Sequence, residues 1–194
     1  MTDRTLILGS TSPYRRQLME RLQYPFTTAA PDIDETRHMD ESARDMVLRL
    51  SLQKAQKVAE QHPDALIIGS DQCAVLNEQV IGKPGTHENA VQQLQNSSGE
   101  TVYFLTGLCL YDSHDGSYQL DVVPFQVDFR ELTEGEIDRY LRKDQPYNCA
   151  GSFRSESLGI TLFKRMTGDD PTALMGLPLI RLSEMLRQAR ISLF

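Results

Sequence analysis

Apolar residues recur along this chain in two rhythms. Short continuous runs, such as Leu6-Ile7-Leu8 and Ala65 to Ile68, read as buried strands, while apolar positions three or four apart mark helices. Leu6 to Leu8 is followed by Ser12 and Pro13, a cap and first residue of a helix whose apolar side is Leu18, Met19 and Leu22. Phe26 to Ala29 reads as a strand, and Pro31 to Asp40 as a polar, acidic loop. Ser42 caps a long helix to about Gln61, closed by Pro63. Ala65 to Ser70 is the next strand, ending at Asp71, followed by a hairpin around Asn77-Glu78 with arms near Val75 and Val80. Thr86 caps a short helix through Leu94, and Thr101 to Tyr111 is a long strand. The turn at His114-Asp115-Gly116 sends Tyr118 to Val123 back, and Gln126 to Phe129 forms a separate strand. Thr133 with Glu136 makes a capping box for a helix to Leu141, Ile160 to Phe163 is a late strand, and Pro178 opens a last helix carrying Leu182, Met185 and Leu186. Crossovers mixed with hairpins predict an α/β fold with a mixed sheet.

Composition narrows the function classes. At 194 residues the chain is expected to be one domain, in one or two lobes, with no internal repeat or linker. Its net charge of −7 argues against a broadly basic nucleic-acid binder, and leaves an anionic small substrate only where cations cluster locally. Cys73, Cys109 and Cys149 lie far apart, with no C-x-x-C, so neither a disulfide framework nor a cysteine zinc site is expected. The apolar run before Gly9 is too short for a signal peptide, and no stretch approaches the roughly 20 apolar residues of a membrane span. The expectation is a soluble, cytoplasmic protein.

Several segments carry candidate chemistry. Gly9-Ser10-Thr11-Ser12-Pro13-Tyr14-Arg15-Arg16 follows a strand and opens a helix, where free amides and a partial positive charge suit phosphate. Arg15 and Arg16 could be a solvated helical pair, but basic residues oppose the helix dipole in a first turn, which points to an anion nearby. Lys54 falls in the middle of the apolar stripe formed by Ala43, Val47, Leu50 and Val58 rather than at its edge. A lysine so placed needs a partner: a ligand phosphate, a catalytic carboxylate or a structural ion pair. Asp71 comes directly after a buried strand, a usual place for ligand chemistry in α/β folds, although a turn or cap role would also suit it. With the loop acids Asp34 and Glu35 it could hold a hard divalent cation, whereas Asp32 reads as merely solvated. Lys83 in Gly82-Lys83-Pro84, and the small-residue loop Ala150-Gly151-Ser152-Phe153-Arg154-Ser155-Glu156, are weak signals taken alone. The four histidines lack metal spacing, and no serine sits in a G-x-S-x-G elbow, so zinc hydrolysis and Ser–His catalysis are disfavoured.

Together the ordered set Ser10-Thr11-Ser12-Pro13-x-Arg15-Arg16, Asp34-Glu35, Lys54, Gly69-Ser70-Asp71, Gly82-Lys83-Pro84, Ala150-Gly151-Ser152 and Gly176-Leu177-Pro178 resembles the Maf family of nucleoside triphosphate pyrophosphatases over nearly the whole chain. The resemblance implies a single domain, residues 1–194, with two lobes around a central cleft. Its sheet would be elongated, twisted and mixed, flanked by helices and similar to the inosine triphosphate pyrophosphatase fold. It implies hydrolysis of the α–β phosphoanhydride bond of a nucleoside triphosphate, supported by a divalent metal cation (Mg, Mn or Co). Asp71 would be the proton acceptor. Ser10, Arg15, Arg16, Lys54 and Lys83 would bind phosphates, and Glu35 with Asp71 would hold the metal. The resemblance is also consistent with a homodimer, and with no nucleic-acid or membrane partner.

The same resemblance implies a branch. Tyr14, Gln72 and Glu156 stand at the positions that set base choice. The dTTP/UTP branch carries Arg, Thr and Gln there, and the branch acting on 7-methyl-GTP carries Trp, Gln and Glu. This chain matches the second at two positions and keeps an aromatic ring at the third, and a methylated, cationic guanine favours both an aromatic face and a carboxylate. The expected substrate is therefore 7-methyl-GTP, yielding 7-methyl-GMP and pyrophosphate. The alternatives are a dTTP/UTP pyrophosphatase of the same family and a non-catalytic nucleotide-binding regulator of cell division.

Overall fold

A computed structural model describes residues 4–194. Strands β1 (Thr5–Gly9), β2 (Thr27–Ala29), β3 (Ala65–Leu76), β4 (Gln79–Ile81), β5 (Thr101–Asp112), β6 (Tyr118–Phe129) and β7 (Phe163–Thr167) form one sheet in the order β2-β1-β3-β5-β6-β7, with β4 paired to β3. β1 runs parallel to β2 and β3, while β3 with β4, and β6 with β7, are antiparallel. The helices are α1 (Pro13–Glu20), α2 (Ala43–Ala59), α3 (His87–Ser97), α4 (Glu134–Asp144) and α5 (Leu179–Gln188). This is the mixed α/β class that the hydrophobic pattern predicts. Among the described residues no helix is long and apolar enough to cross a membrane.

Two compact units divide the chain. The first holds the described residues through Asp71, Thr106–Val123 and Asp170–Phe194; the second holds Gln72–Leu105 and Pro124–Asp169. In the first, strand alternation sorts the core. Leu6, Leu8, Leu66, Ile68, Leu108 and Leu110 pack with Leu18 and Met19 of α1 and with Leu182, Met185 and Leu186 of α5. The intervening Ile7, Ile67 and Cys109 turn to the other face and meet Ala55 and Val58 of α2. Burial pushes the Cys109 thiol up to about 12, so it is an inert core residue. In the second unit Phe104, Phe129 and Phe163 each pack edge-on against Phe153. Ile137 and Leu141 of α4 are buried as well.

Helix starts follow the sequence reading: Ser12, Ser42, Thr86 and Thr133 are N-caps, and Thr133 with Glu136 closes the capping box. Three strand boundaries differ. β3 does not end near Asp71 but continues to Leu76, absorbing the hairpin arm at Val75. Gly69 is small because α2 presses on the strand, not because the chain turns: a Cβ there would lie 2.1 Å from the Ser51 carbonyl oxygen. β6 is one strand through Pro124, which precedes the segment paired with β7 and leaves that side of the strand without a ladder to break. Leu158–Leu162 is a 3₁₀ turn and β7 starts at Phe163, so the late strand expected at Ile160 to Phe163 is displaced. Ile160 is exposed, and Gly159 sits so close to the Arg154 backbone that a Cβ would lie 2.4 Å from its carbonyl oxygen, so this apolar run serves a tight loop.

Candidate active site

In the first unit three expected site residues meet at one atom. The Lys54 ammonium donates to Asp71 Oδ1 at 2.6 Å and pairs with Glu35 Oε1 at 2.9 Å. Lys54 and Asp71 are buried, while Glu35 reaches in from an exposed loop. The partners that Lys54 finds on the packed face of α2 are carboxylates. Among the described residues nothing donates a hydrogen bond to Asp71 Oδ2. It is not sealed either, because Gln119 Oε1 is the one buried, unpartnered side-chain polar atom among the described residues. One oxygen of Asp71 is thus fixed by Lys54 and the other is left without a donor.

Backbone packing sets this geometry. Gly69 of β3 and Gly107 of β5 let α2 approach the sheet: a Cβ at Gly107 would fall 2.3 Å from the Val47 carbonyl oxygen and 2.5 Å from Ser51 Oγ. In that space Ser51 Oγ accepts from the Asp71 amide at 2.9 Å and donates to the Val47 carbonyl at 2.6 Å. The helix turn that carries Lys54 is therefore pinned to the residue that carries the carboxylate. Ser51 and Gly107 escaped sequence reasoning, although a glycine inside the apolar run Leu105 to Leu110 is a signal of close backbone approach.

The segment after β1 lies in the same unit. Ser10 is buried, and its Oγ accepts from the Ser12 amide at 3.1 Å, while Ser12 Oγ caps α1 at the Arg15 amide. Arg15 Nε donates to the Gly176 carbonyl at 2.8 Å, and Ser70 Oγ reaches the same carbonyl at 2.9 Å. Gly176 has φ +98°, a left-handed conformation that glycine tolerates best, and this aims its carbonyl at both donors. Burial lowers the Arg15 pKa, against the pull of the Asp71 and Glu35 charges, and the guanidinium stays charged. Asp170, unread in the sequence, holds the approach to Gly176: its carboxylate accepts from the amide and hydroxyl of Thr172 and from the Ile180 amide. Arg16 is exposed and pairs with Glu20 at 3.2 Å, outside the Lys54 group. Tyr14 is half-buried in the first turn of α1.

The loop that carries Glu35 is tied to α2. Arg49 Nε and Nη2 take both oxygens of Glu41 at 2.6 and 2.7 Å, and Nη2 also donates to the Thr36 carbonyl at 3.2 Å. The Arg49 guanidinium holds the Glu41 carboxyl down at about 2. Asp34 is turned to its own loop, accepting from the Thr36 amide at 2.9 Å. A cavity of about 380 Å³ is lined by Asp34, His38, Arg49, Gln53 and Lys57 among others, but includes neither Lys54 nor Asp71.

In the second unit Lys83 is exposed, and its ammonium has no partner among the described residues. Gln72 follows Asp71 in β3 and is half-buried. Glu156 is exposed on a segment held by Asp144, whose buried carboxylate accepts from Tyr140 Oη at 2.9 Å, Arg154 Nη2 at 3.1 Å and Ser157 Oγ at 2.9 Å. These donors bracket Glu156 in sequence, and Asp144 carried no signal beyond its place at a helix end.

As a cation site, the donors are two carboxylates that touch the same ammonium and so lie close enough to share one ion. Among the described residues no third histidine, cysteine or acid joins them. Two carboxylates, with remaining positions left to water and phosphate oxygens, fit a hard cation of the magnesium type rather than zinc.

The pattern that defines Maf-like proteins matches residues 5–189. The chain belongs to the Maf-like family. Among its curated relatives, a 7-methyl-GTP pyrophosphatase of Nitrosococcus oceani is 57% identical over 95% of this chain and 93% of its own length. One of Pseudomonas savastanoi pv. phaseolicola, of the same name, is 54% identical over 97% of this chain and 98% of its own. Of solved structures, the Staphylococcus aureus Ham1 protein is similar over 66% of this chain and 73% of its own, with 12% identity and a TM-score of 0.47, too slight a likeness to bear on the fold.

Proposed function

We propose that this Maf-like protein is a metal-dependent pyrophosphatase that hydrolyses the α–β phosphoanhydride bond of 7-methyl-GTP. The observation that carries the reading is the asymmetry of Asp71: Oδ1 is held by Lys54, and Oδ2 takes no hydrogen bond among the described residues. A carboxylate fixed at one oxygen presents the other as a general base in a defined direction. Water bonds to the α-phosphorus and passes its proton to Asp71 Oδ2. The bond from the α-phosphorus to the bridging oxygen breaks, and pyrophosphate leaves with that oxygen. Ser10, Arg15, Arg16 and Lys83 serve the phosphates, with Arg15 oriented by the Gly176 carbonyl. Glu35 and Asp71 are the residues that would hold a divalent ion, which when bound supplies charge neutralisation at the triphosphate. Lys54 orients both carboxylates. Most of the acceleration comes from positioning and charge stabilisation.

The preference for 7-methyl-GTP rests on Tyr14, Gln72 and Glu156, whose types suit a cationic, methylated guanine. The names of the relatives, at more than half identity over nearly full length, support the same choice. The test is a pyrophosphate-release screen across canonical and methylated triphosphates, with and without chelator. Release should be fastest from 7-methyl-GTP, stop with chelator, and return with Mg, Mn or Co. Faster turnover of dTTP and UTP would move the protein to the other branch. Nucleotide binding without pyrophosphate release would make it a regulator.

A further inference from the structure

Lys83 is free at its head and tied at its base. The Gly82 carbonyl on one side accepts from Gln93 Nε2 at 3.2 Å, and the Pro84 carbonyl on the other accepts from Asn89 Nδ2 at 2.9 Å. Asn89 and Gln93 are four apart on α3 and so lie on one face of it. The next amide, Gly85, donates to the Tyr147 carbonyl at 3.0 Å. A surface turn is thus held at Gly82, Pro84 and Gly85, while the Lys83 ammonium has no partner among the described residues.

Gln93 reaches further. Its Oε1 accepts from Ser152 Oγ at 2.5 Å, so one side-chain amide joins the Gly82-Lys83-Pro84 turn to the Ala150-Gly151-Ser152 loop. Its orientation is decided by chemistry: the reverse rotamer would set an oxygen against the Gly82 carbonyl. All of these groups belong to the second unit. A half-buried glutamine is not needed to fill that helix face, since an apolar residue would pack there without ordering costs for two polar partners.

We infer that Gln93 is a positioning residue for the reaction: it fixes the backbone at Lys83 and couples it to Ser152, so that the ammonium meets a substrate phosphate without first paying to order the turn. This rests on the reading above that Lys83 binds phosphate. Displacement of a binding group by about 1 Å can cost on the order of 100-fold, so loss of one of several ties should raise KM for the triphosphate about tenfold, with kcat moving less.

The test is a kinetic cycle with 7-methyl-GTP. Gln93→Met keeps length and removes both bonds; KM should rise about tenfold, and the same change in a Lys83→Ala background should add nothing, because its effect runs through Lys83. Ser152→Ala and Asn89→Ala, each losing one tie, should give smaller rises that also vanish with Lys83→Ala, and they carry the test if Gln93→Met fails to fold. An unchanged KM in Gln93→Met, or an equal rise in both backgrounds, overturns the inference and leaves the function standing. If Lys83→Ala itself leaves KM unchanged, the phosphate role of Lys83 is wrong and the inference goes with it, whereas the substrate screen judges the activity independently.

Discussion

Lys54 and Asp71 are 17 residues apart in the chain, and their side chains meet at 2.6 Å inside the first unit. Little of that contact serves stability. Burying two charges costs several kcal/mol of desolvation, and an apolar pair of similar volume would often do as well. The pair is better understood as chemistry held in place by a fold that could have been simpler without it.

Asp71→Asn keeps the shape and removes the base. Its kcat should drop by at least about 100-fold, the lower range for general-base catalysis. Nucleotide binding, followed by calorimetry, should be retained. Wild-type turnover in this variant would remove Asp71 from the role.

Lys54→Met leaves the Asp71 carboxylate buried without its partner. Breaking such a pair costs about 3 kcal/mol, to be measured by denaturant unfolding. Adding Asp71→Asn should recover most of that stability, since no stranded charge remains, while turnover stays lost. Independent, additive stability costs would show that the two residues do not act as a pair.

Gly69→Ala tests the helix approach. The new Cβ would sit 2.1 Å from the Ser51 carbonyl oxygen, so α2 must move away from β3. The expected destabilisation is about 1–3 kcal/mol, accompanied by loss of turnover because Lys54 moves with the helix. Wild-type kinetics in Gly69→Ala would mean that the distance from Lys54 to Asp71 is not set by this contact.

Acid should loosen the loop that carries Glu35. Arg49 holds the Glu41 carboxyl at about 2 from an ordinary 4.5. A carboxylate whose folded value is depressed stabilises above its unfolded value, and that contribution fades as pH falls from about 4.5 towards 2. Glu41→Gln should therefore melt below the wild type at pH 7, with the gap closing as the pH approaches 2. A gap independent of pH would place the effect in packing rather than in the ion pair.

Much of the fold was legible because its signals are local. The caps at Ser12, Ser42, Thr86 and Thr133, and the apolar run Leu6 to Leu8, each report on a few neighbouring residues. The burial of Lys54 was legible too, since helical periodicity alone puts that side chain on the packed face. What stayed hidden depends on distant partners. Gly69 reads as part of a strand end until α2 is seen against it, and Ile160 reads as the start of a strand until Gly159 is found on the Arg154 backbone. Ser51, Asp144, Asp170 and Gln93 are ordinary polar residues whose roles lie in the groups they join across the chain.

The carbonyl of Gly176 has a consequence for synthesis. Ser70 and Arg15 emerge from the ribosome long before the residue that receives them both, and Leu177 and Leu182, which close the same core, come later still. A nascent or prematurely terminated chain therefore carries Lys54 and Asp71 without the support that orients Arg15. The order of synthesis thus makes the orientation of Arg15 one of the last features of this unit to form.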